Sequence, residues 1–241
     1  MTAGTPVDGG SQATEALRDA RNQLLAWRGD HQAAVSNFRW PDLGDRFNWA
    51  VDWFDVIARG NEQPALVILE EADAVEGKPA ERWSFDTLAR RSDQVAAWLA
   101  GHGVGKGDAV IVMLGNQVEL WETMLGILKL GAVIMPTTTA VGPADLRDRI
   151  ERGGAGFVVV NASDTAKFDD VPGDYGRIAV TRGGAAPDGW ESFEDAYQLN
   201  VPPAAHPGTA PNDRLLLYFT SGTTSKPKLV EHTQVSYPVG H

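Results

Sequence analysis

The chain contains no cysteine. Disulfide bonds, cysteine-ligated metals and a cysteine nucleophile are therefore excluded from its chemistry. Basic residues are also scarce, since 21 Lys and Arg stand against 32 Asp and Glu, for a net charge of −11 at pH 7. A nucleic acid or an anionic membrane is not expected as the main partner of so acidic a chain, although a local nest of backbone N–H groups can still bind a phosphate.

Long apolar runs are missing as well. The first thirty residues show no pattern typical of a signal peptide. The most apolar stretch, 118–135, is interrupted by Glu119, Glu122 and Lys129, and it predicts a buried helix and strand rather than a membrane span. We therefore expect a soluble cytoplasmic protein, while the oligomeric state stays open.

Short apolar runs alternate with segments of helical periodicity along most of the 241 residues. This alternation predicts βαβ units and an α/β fold with mainly parallel sheets covered by helices. Ser84 is placed to cap a helix, and Pro143 suits a first helical turn. The predicted strands are 64–69, 109–114, 132–135, 156–160, 177–181 and 214–219, and the predicted helices are 14–27, 48–58, 85–100, 117–130, 143–152 and 190–197.

The most informative segment reads Thr-Ser-Gly-Thr-Thr-Ser-Lys-Pro-Lys and follows an apolar strand directly. Small residues let a backbone approach an anion closely, and backbone N–H groups and hydroxyls donate to phosphate oxygens. A lysine adds a charge-assisted contact of about 1.5–3 kcal/mol. We therefore predict phosphate binding rather than a merely soluble surface loop. The candidate residues are Thr220, Ser221, Gly222, Thr223, Thr224, Ser225, Lys226, Pro227 and Lys228.

Other features favour ordinary structural roles. The loop lacks the G-x-x-x-x-G-K-[ST] pattern, so a kinase or GTPase of that type is not expected. The glycine-rich segment 101–107 lies between a helix and a strand, which is the wrong order for a dinucleotide loop. We expect the aromatic stretch 38–54 to pack in the core. The threonines at 137–139 are expected to cap a helix rather than bind a ligand. His232 is expected to be a packed or surface residue rather than a catalytic one.

Segment 218–228 resembles the signature phosphate loop of the adenylate-forming superfamily, which includes acyl-CoA synthetases, peptide-synthetase adenylation domains and firefly luciferase. Ser225 stands where that family usually has a second glycine. The resemblance covers roughly 38–233. Within the superfamily, the sequence is similar to the medium-chain acyl-CoA synthetases in particular. The further segments that carry it are 47–50 (Phe-Asn-Trp-Ala), 105–108 (Gly-Lys-Gly-Asp), 130–136 and 229–233.

The resemblance implies an AMP-forming acid–thiol ligase. A small carboxylic acid would react with ATP to give an acyl-adenylate and pyrophosphate, and coenzyme A would then displace AMP. ATP, Mg²⁺ and coenzyme A are the implied cofactors and co-substrates, with no metal ligand among the candidate residues. Residues 1–30 would form a tail and a helix, and 31–241 part of the N-terminal AMP-binding domain.

The resemblance further implies that the catalytic residues lie beyond residue 241, in the rest of the large domain and in a small C-terminal domain. We therefore expect an incomplete N-terminal domain that does not turn over substrate alone. One alternative is a non-catalytic nucleotide- or phosphate-binding module, which a stop codon after residue 241 would favour. Another is an adenylation domain with a carrier-protein acceptor, which a downstream carrier domain would reveal. The acid that is activated stays open.

Overall fold

The computed structural model describes residues 11–69, 75–77, 79–220 and 227–240. Helices α1 (Gln12–Ala26) and α2 (His31–Asn37) come first, and a π-helical segment (Trp49–Phe54) continues into α3 (Asp55–Ala58). The main helices that follow are α4 (Phe85–Gly101), α5 (Val118–Lys129) and α6 (Pro143–Gly153). The shorter ones are two 3₁₀ helices (Ala162–Phe168 and Phe193–Gln198) and α7 (Ser236–Gly240).

Within the described residues the strands form two sheets. A two-stranded antiparallel sheet pairs β1 (Pro64–Ile68) with β2 (Glu81–Ser84). The seven-stranded sheet consists of β3 (Ala109–Met113), β4 (Val133–Pro136), β5 (Ala155–Asn161), β6 (Gly176–Val180), β7 (Glu191–Ser192), β8 (Arg214–Thr220) and β9 (Lys228–Thr233). Its order is β7-β6-β5-β3-β4-β8-β9, and all neighbours are parallel except β8 and β9. The predicted α/β class is confirmed.

Strand β3 lies at the centre of the sheet and is buried along its whole length. Side chains alternate across a strand, so Val110 and Val112 pack into the core beneath α4 and α5, while Ile111 and Met113 pack into the core beneath α6. The sheet is therefore covered on both faces, as expected for parallel strands. No helix in the described part of the chain has both the length and the apolar character that crossing a bilayer requires.

The predicted helix boundaries follow from local chemistry. Ser84 Oγ accepts a hydrogen bond from Thr87 N at 3.1 Å and so caps α4. Pro143 occupies the first turn of α6, and Gly154 ends that helix in the left-handed region with φ of 65°. The predicted roles of Ser84 and Pro143 are confirmed.

Two predictions about elements need correction. The predicted strand 64–69 exists as β1, but it lies outside the parallel sheet. The predicted helix 190–197 begins as strand β7, because residues 191–192 pair with β6 before the 3₁₀ turn starts. Strand β9 was not predicted, and it forms because its backbone pairs with β8. The polar segment 70–81, with Gly77 and Pro79, predicts a hairpin or loop, and part of it lies outside the described residues.

Candidate functional site

The predicted phosphate loop connects β8 to β9. Thr220 is the last residue of β8 and Lys228 the first of β9, and the two pair across the antiparallel ladder. Both ends of the loop are therefore held side by side. Of the nine candidate residues the structure describes Thr220, Pro227 and Lys228, of which Lys228 is exposed and the other two are half-buried. The six residues 221–226 lie outside the described part of the chain.

The loop begins at the carboxyl edge of the parallel sheet. Strand β8 runs parallel to β4, with Ile134 opposite Leu216. In open α/β sheets, ligands bind in crevices outside the carboxyl ends of the strands. The location of Thr220 is therefore the one at which such a fold binds small molecules.

Residues 137–139 follow β4 at the same edge. Thr138 Oγ1 accepts from Ala140 N at 3.3 Å, and Thr137 Oγ1 donates to the carbonyl of Met135 at 3.3 Å. Gly142 is the N-cap of α6, so the predicted capping role of these threonines is wrong. The hydroxyls of Thr137 and Thr138 instead stabilise the turn between β4 and α6.

His232 packs on the β8–β9 hairpin. Its ring lies parallel to that of Tyr218, with centroids 5.6 Å apart and planes 7° apart. Nδ1 is 3.4 Å from Ser236 Oγ, and Nε2 is 3.4 Å from the Tyr218 hydroxyl. This is the packed histidine that the sequence favoured.

The segments that carried the family resemblance have clear structural roles. Asn48 is fully buried, and its Oδ1 accepts from Ala50 N and Val51 N at the start of the π-helical segment. Its Nδ2 donates to the carbonyl of Leu128 at 2.7 Å, which ties that segment to α5. In the segment 105–108, the carboxylate of Asp108 accepts from Gly105 N at 2.8 Å, so the glycines there form a turn.

The aromatic stretch 38–54 serves mainly for packing. Phe47 and Phe54 are buried, whereas Trp40 is exposed. Trp49, Phe54 and other apolar residues line a cavity of about 220 Å³ between α4, α5 and β8. The packing prediction is confirmed for the two buried phenylalanines.

Two arginines of α6 contact the hairpin that holds the loop. Arg149 and Arg152 place their Cζ atoms 4.7 Å and 5.2 Å from the ring centroid of Phe219, the residue before Thr220. Arg152 Nη2 also donates to the carbonyl of Pro227 at 3.0 Å. Sequence reasoning missed both arginines, although their i, i+3 spacing on a predicted helix places them on one face.

A separate polar cavity of about 410 Å³ lies between α4, α5 and the second 3₁₀ helix. One of its buried residues is Glu122, whose carboxylate accepts a hydrogen bond from the Tyr197 hydroxyl. Burial raises the pKa of Glu122 to about 7, against the opposing effect of that hydrogen bond. The carboxyl group of Glu122 therefore changes charge near neutral pH.

Folding stability should accordingly fall as pH rises through this range. A carboxyl group with a raised pKa holds a proton in the folded chain that the unfolded chain has already released, so stability is lost between the ordinary value of 4.5 and about 7. Glu122→Gln, which still accepts from Tyr197, should be more stable than the wild type at pH 8 by on the order of 2 kcal/mol and similar to it near pH 5. Thermal melting of both proteins from pH 5 to 8 measures this, and parallel curves would contradict it.

The fold and the loop together define a class of protein. A parallel sheet covered on both faces, with a loop rich in hydroxyl groups and lysine at its carboxyl edge, is typical of a nucleotide-binding α/β domain. Among the described residues, no group of three or more His, Cys, Asp or Glu side chains could hold a metal ion.

Comparison with known families identifies the protein family. The family model described as "AMP-binding enzyme" matches residues 56–238, and the chain belongs to that family. The resemblance drawn from the loop is confirmed.

Two curated relatives show how similar the chain is to named enzymes. It is 30% identical to the human mitochondrial acyl-coenzyme A synthetase ACSM5, over 94% of this chain and 42% of the relative. It is 32% identical to 4-hydroxybutyrate–CoA ligase 1 of Metallosphaera sedula, over 81% of this chain and 33% of the relative. The chain thus spans less than half the length of these relatives.

Solved structures agree with the fold. An acyl-CoA synthetase of Brucella canis superposes with a TM-score of 0.72 and 25% identity, over 85% of this chain and 38% of that chain. The acetoacetyl-CoA synthetase of Streptomyces lividans superposes with a TM-score of 0.69 at 21% identity, over 80% of this chain and 31% of that chain, which supports the fold alone.

Proposed function

We propose that the protein activates a carboxylic acid with ATP and transfers the acyl group to coenzyme A. The observation that carries this proposal is the β8–β9 hairpin, which holds Thr220 and Lys228 side by side at the carboxyl edge of the sheet. In the proposed reaction the carboxylate attacks the α-phosphorus of ATP, forming an acyl-adenylate and releasing pyrophosphate. The coenzyme A thiol then attacks the acyl carbon and AMP leaves.

The residues of the loop would hold the β- and γ-phosphates. The hydroxyls of Thr220, Ser221, Thr223 and Thr224 and the backbone of Gly222 would donate hydrogen bonds, while Lys228 would contribute charge. Held in this way, pyrophosphate is oriented as a leaving group and its developing negative charge is stabilised. Mg²⁺ would enter bound to the nucleotide, as Mg·ATP.

The names of the relatives support coenzyme A as the acceptor. Those compared above are named as synthetases or ligases of coenzyme A, which favours coenzyme A over a carrier protein as the acceptor. We propose that residues 31–241 form part of the AMP-binding domain, preceded by a tail and helix in 1–30.

A cytoplasmic location stays a prediction, since the human relative ACSM5 is named mitochondrial. Fractionation of cells that express the protein would test this location.

Acid-dependent exchange of pyrophosphate into ATP tests the proposal. The protein at its natural length is incubated with Mg·ATP, labelled pyrophosphate and single acids from a panel of short, medium-chain and aromatic carboxylates. Exchange that requires an acid supports adenylation, and thioester formation with coenzyme A identifies the acceptor. Binding of Mg·ATP without exchange for any acid would favour the non-catalytic module. The 241-residue chain alone is expected to give no exchange.

A further inference from the structure

The end of helix α6 packs directly against the hairpin from which the phosphate loop extends. Gly153 lets the end of α6 lie close to the neighbouring strand β4, because a Cβ at that position would lie 2.3 Å from Met135 Cε, and it would reach Phe219 Cε2 at an ordinary contact distance of 3.8 Å. The Phe219 side chain packs in the core that α6 covers. The last two turns of α6 are therefore held against the strand that leads into the loop.

Both ends of the loop are in contact with this helix. Before the loop, the guanidinium groups of Arg149 and Arg152 lie 4.7 Å and 5.2 Å from the ring centroid of Phe219. After the loop, Arg152 Nη2 donates to the carbonyl of Pro227 at 3.0 Å. One side chain, Arg152, thus touches the residue before Thr220 and the residue before Lys228.

The geometry of Arg152 is itself constrained. Its Nη1 donates to Asp148 Oδ2 at 2.7 Å, one turn earlier on α6. The planar guanidinium is therefore fixed at two points, by a carboxylate of its own helix and by the loop carbonyl. Held in this way, it loses little freedom when it orients the loop, which is the advantage of arginine over lysine at such a position.

Arg149 is placed differently. It is half-buried, and its Nε has no hydrogen-bond partner among the described residues. Burial lowers the pKa of Arg149, and the nearby charges of Asp145 and Asp148 oppose that shift. Its contact with the Phe219 ring is a cation–π interaction, which fixes the ring and adds positive charge beside the loop.

We propose that Arg149 and Arg152 are positioning residues that hold the two ends of the phosphate loop in the geometry that binds ATP. The proposal rests on the function proposed above, because it assigns these residues to the same phosphate site. They act through Phe219 and Pro227. Their loss should therefore weaken ATP binding while leaving the chemical step largely intact once ATP is saturating.

Variants of Arg152 test this in the protein at its natural length. Arg152→Ala should raise the KM for ATP in acid-dependent pyrophosphate exchange by about 5- to 10-fold, the effect of one modest charge-assisted contact, with kcat changed less than twofold. Arg152→Gln keeps an amide donor for the Pro227 carbonyl and should recover part of the loss, whereas Arg152→Lys tests charge alone. Arg149→Ala should show the same change in KM with a smaller magnitude.

Arg147 on the same helix gives a matched control. It donates to the carbonyl of Asp170 at 2.8 Å, so Arg147→Ala removes the same type of side chain and contact away from the hairpin. Its KM for ATP should equal that of the wild type. Melting temperatures establish that each variant is folded, and hydrogen exchange of a peptide spanning 221–226 should be faster in Arg152→Ala than in Arg147→Ala.

The outcomes separate the two proposals. If the wild type exchanges pyrophosphate and Arg152→Ala matches Arg147→Ala in KM for ATP and in loop exchange, the positioning role is wrong and the proposed function stands. A lower kcat with an unchanged KM for ATP in Arg152→Ala would also overturn the positioning role. If the wild type shows no acid-dependent exchange, the proposed function fails and the positioning role fails with it.

Discussion

Lys228→Ala is expected to raise the KM for ATP by about 10- to 100-fold in acid-dependent pyrophosphate exchange by the protein at its natural length. Charge-assisted hydrogen bonds contribute about 1.5–3 kcal/mol, and each 1.4 kcal/mol is a factor of ten in affinity. Lys228 is exposed at the point where β9 begins, opposite Thr220. Its side chain has no ion-pair partner among the described residues, so its charge is available to a phosphate.

Lys106→Ala makes the matched comparison, because it removes the same charge at a distance from the loop. Lys106 precedes β3, and its Nζ contacts Asp213 Oδ2 at 2.7 Å and the carbonyl of Gly208 at 2.8 Å. Both variants change the net charge by the same amount, so a long-range electrostatic effect would appear equally in both. An unchanged KM for ATP and an unchanged exchange rate in Lys228→Ala would show that this lysine does not bind the phosphates. Lys228→Arg should keep part of the affinity.

The elements that the sequence predicted well are those whose local pattern and burial agree. Strand β3 is a continuous apolar run, and both of its faces are in fact buried. Helix α4 has an apolar stripe and a serine cap, and both are used in the structure. The elements it missed depend on distant partners: residues 191–192 form β7 by pairing with β6, and β9 forms by pairing with β8.

The candidate site shows the same division. The chemical character of the loop could be predicted because hydroxyls, glycine and lysine donate to phosphate whatever surrounds them. The arginines beside it could not, because Arg152 and Pro227 are 75 residues apart and meet only through the packing of α6 on the hairpin. The six residues 221–226 were predicted as the centre of the site, and that prediction is left to the experiments.

Lys129 is the residue whose environment the sequence indicated least. In the apolar stretch 118–135 it reads as an interruption, yet its side chain is fully buried. Its Nζ lies 2.7 Å from Asp93 Oδ1 and 2.9 Å from Asp55 Oδ1, and it donates to the carbonyl of Ala89 at 3.0 Å. The network therefore joins α3, α4 and α5 through buried ion pairs.

The two carboxylates of this network differ in how well they are satisfied. Burial raises the pKa of Asp55, and the charges of Lys129 and Arg59 oppose it only in part. Burial also acts to raise the pKa of Asp93, but hydrogen bonds from Arg59 and the charge of Lys129 outweigh it, and the pKa is lowered. Asp93 also accepts from Ala204 N at 3.0 Å, so it is the better-held anion.

Lys129→Met should lower the free energy of unfolding by about 3–5 kcal/mol at pH 7, because breaking a buried ion pair leaves uncompensated charge inside the protein. Methionine keeps most of the apolar stem, so the loss reports the charge rather than a cavity. Urea denaturation of the wild type and the variant measures it. Lys106→Met breaks an exposed ion pair instead and should cost no more than about 1 kcal/mol. Equal losses in the two variants would contradict a central role for Lys129.

The pH dependence of Lys129→Met distinguishes unpaired charge from poor packing. Without the lysine the pKa values of Asp55 and Asp93 must both rise in the folded state. A raised folded pKa means that the folded chain binds protons more readily than the unfolded one, so the variant should regain stability relative to the wild type as pH falls through those values. Adding Asp55→Asn to the variant should recover part of the loss at pH 7 and flatten this dependence. A deficit that is the same at pH 5 and pH 7 would instead mean that the methionine packs badly, because a cavity does not titrate.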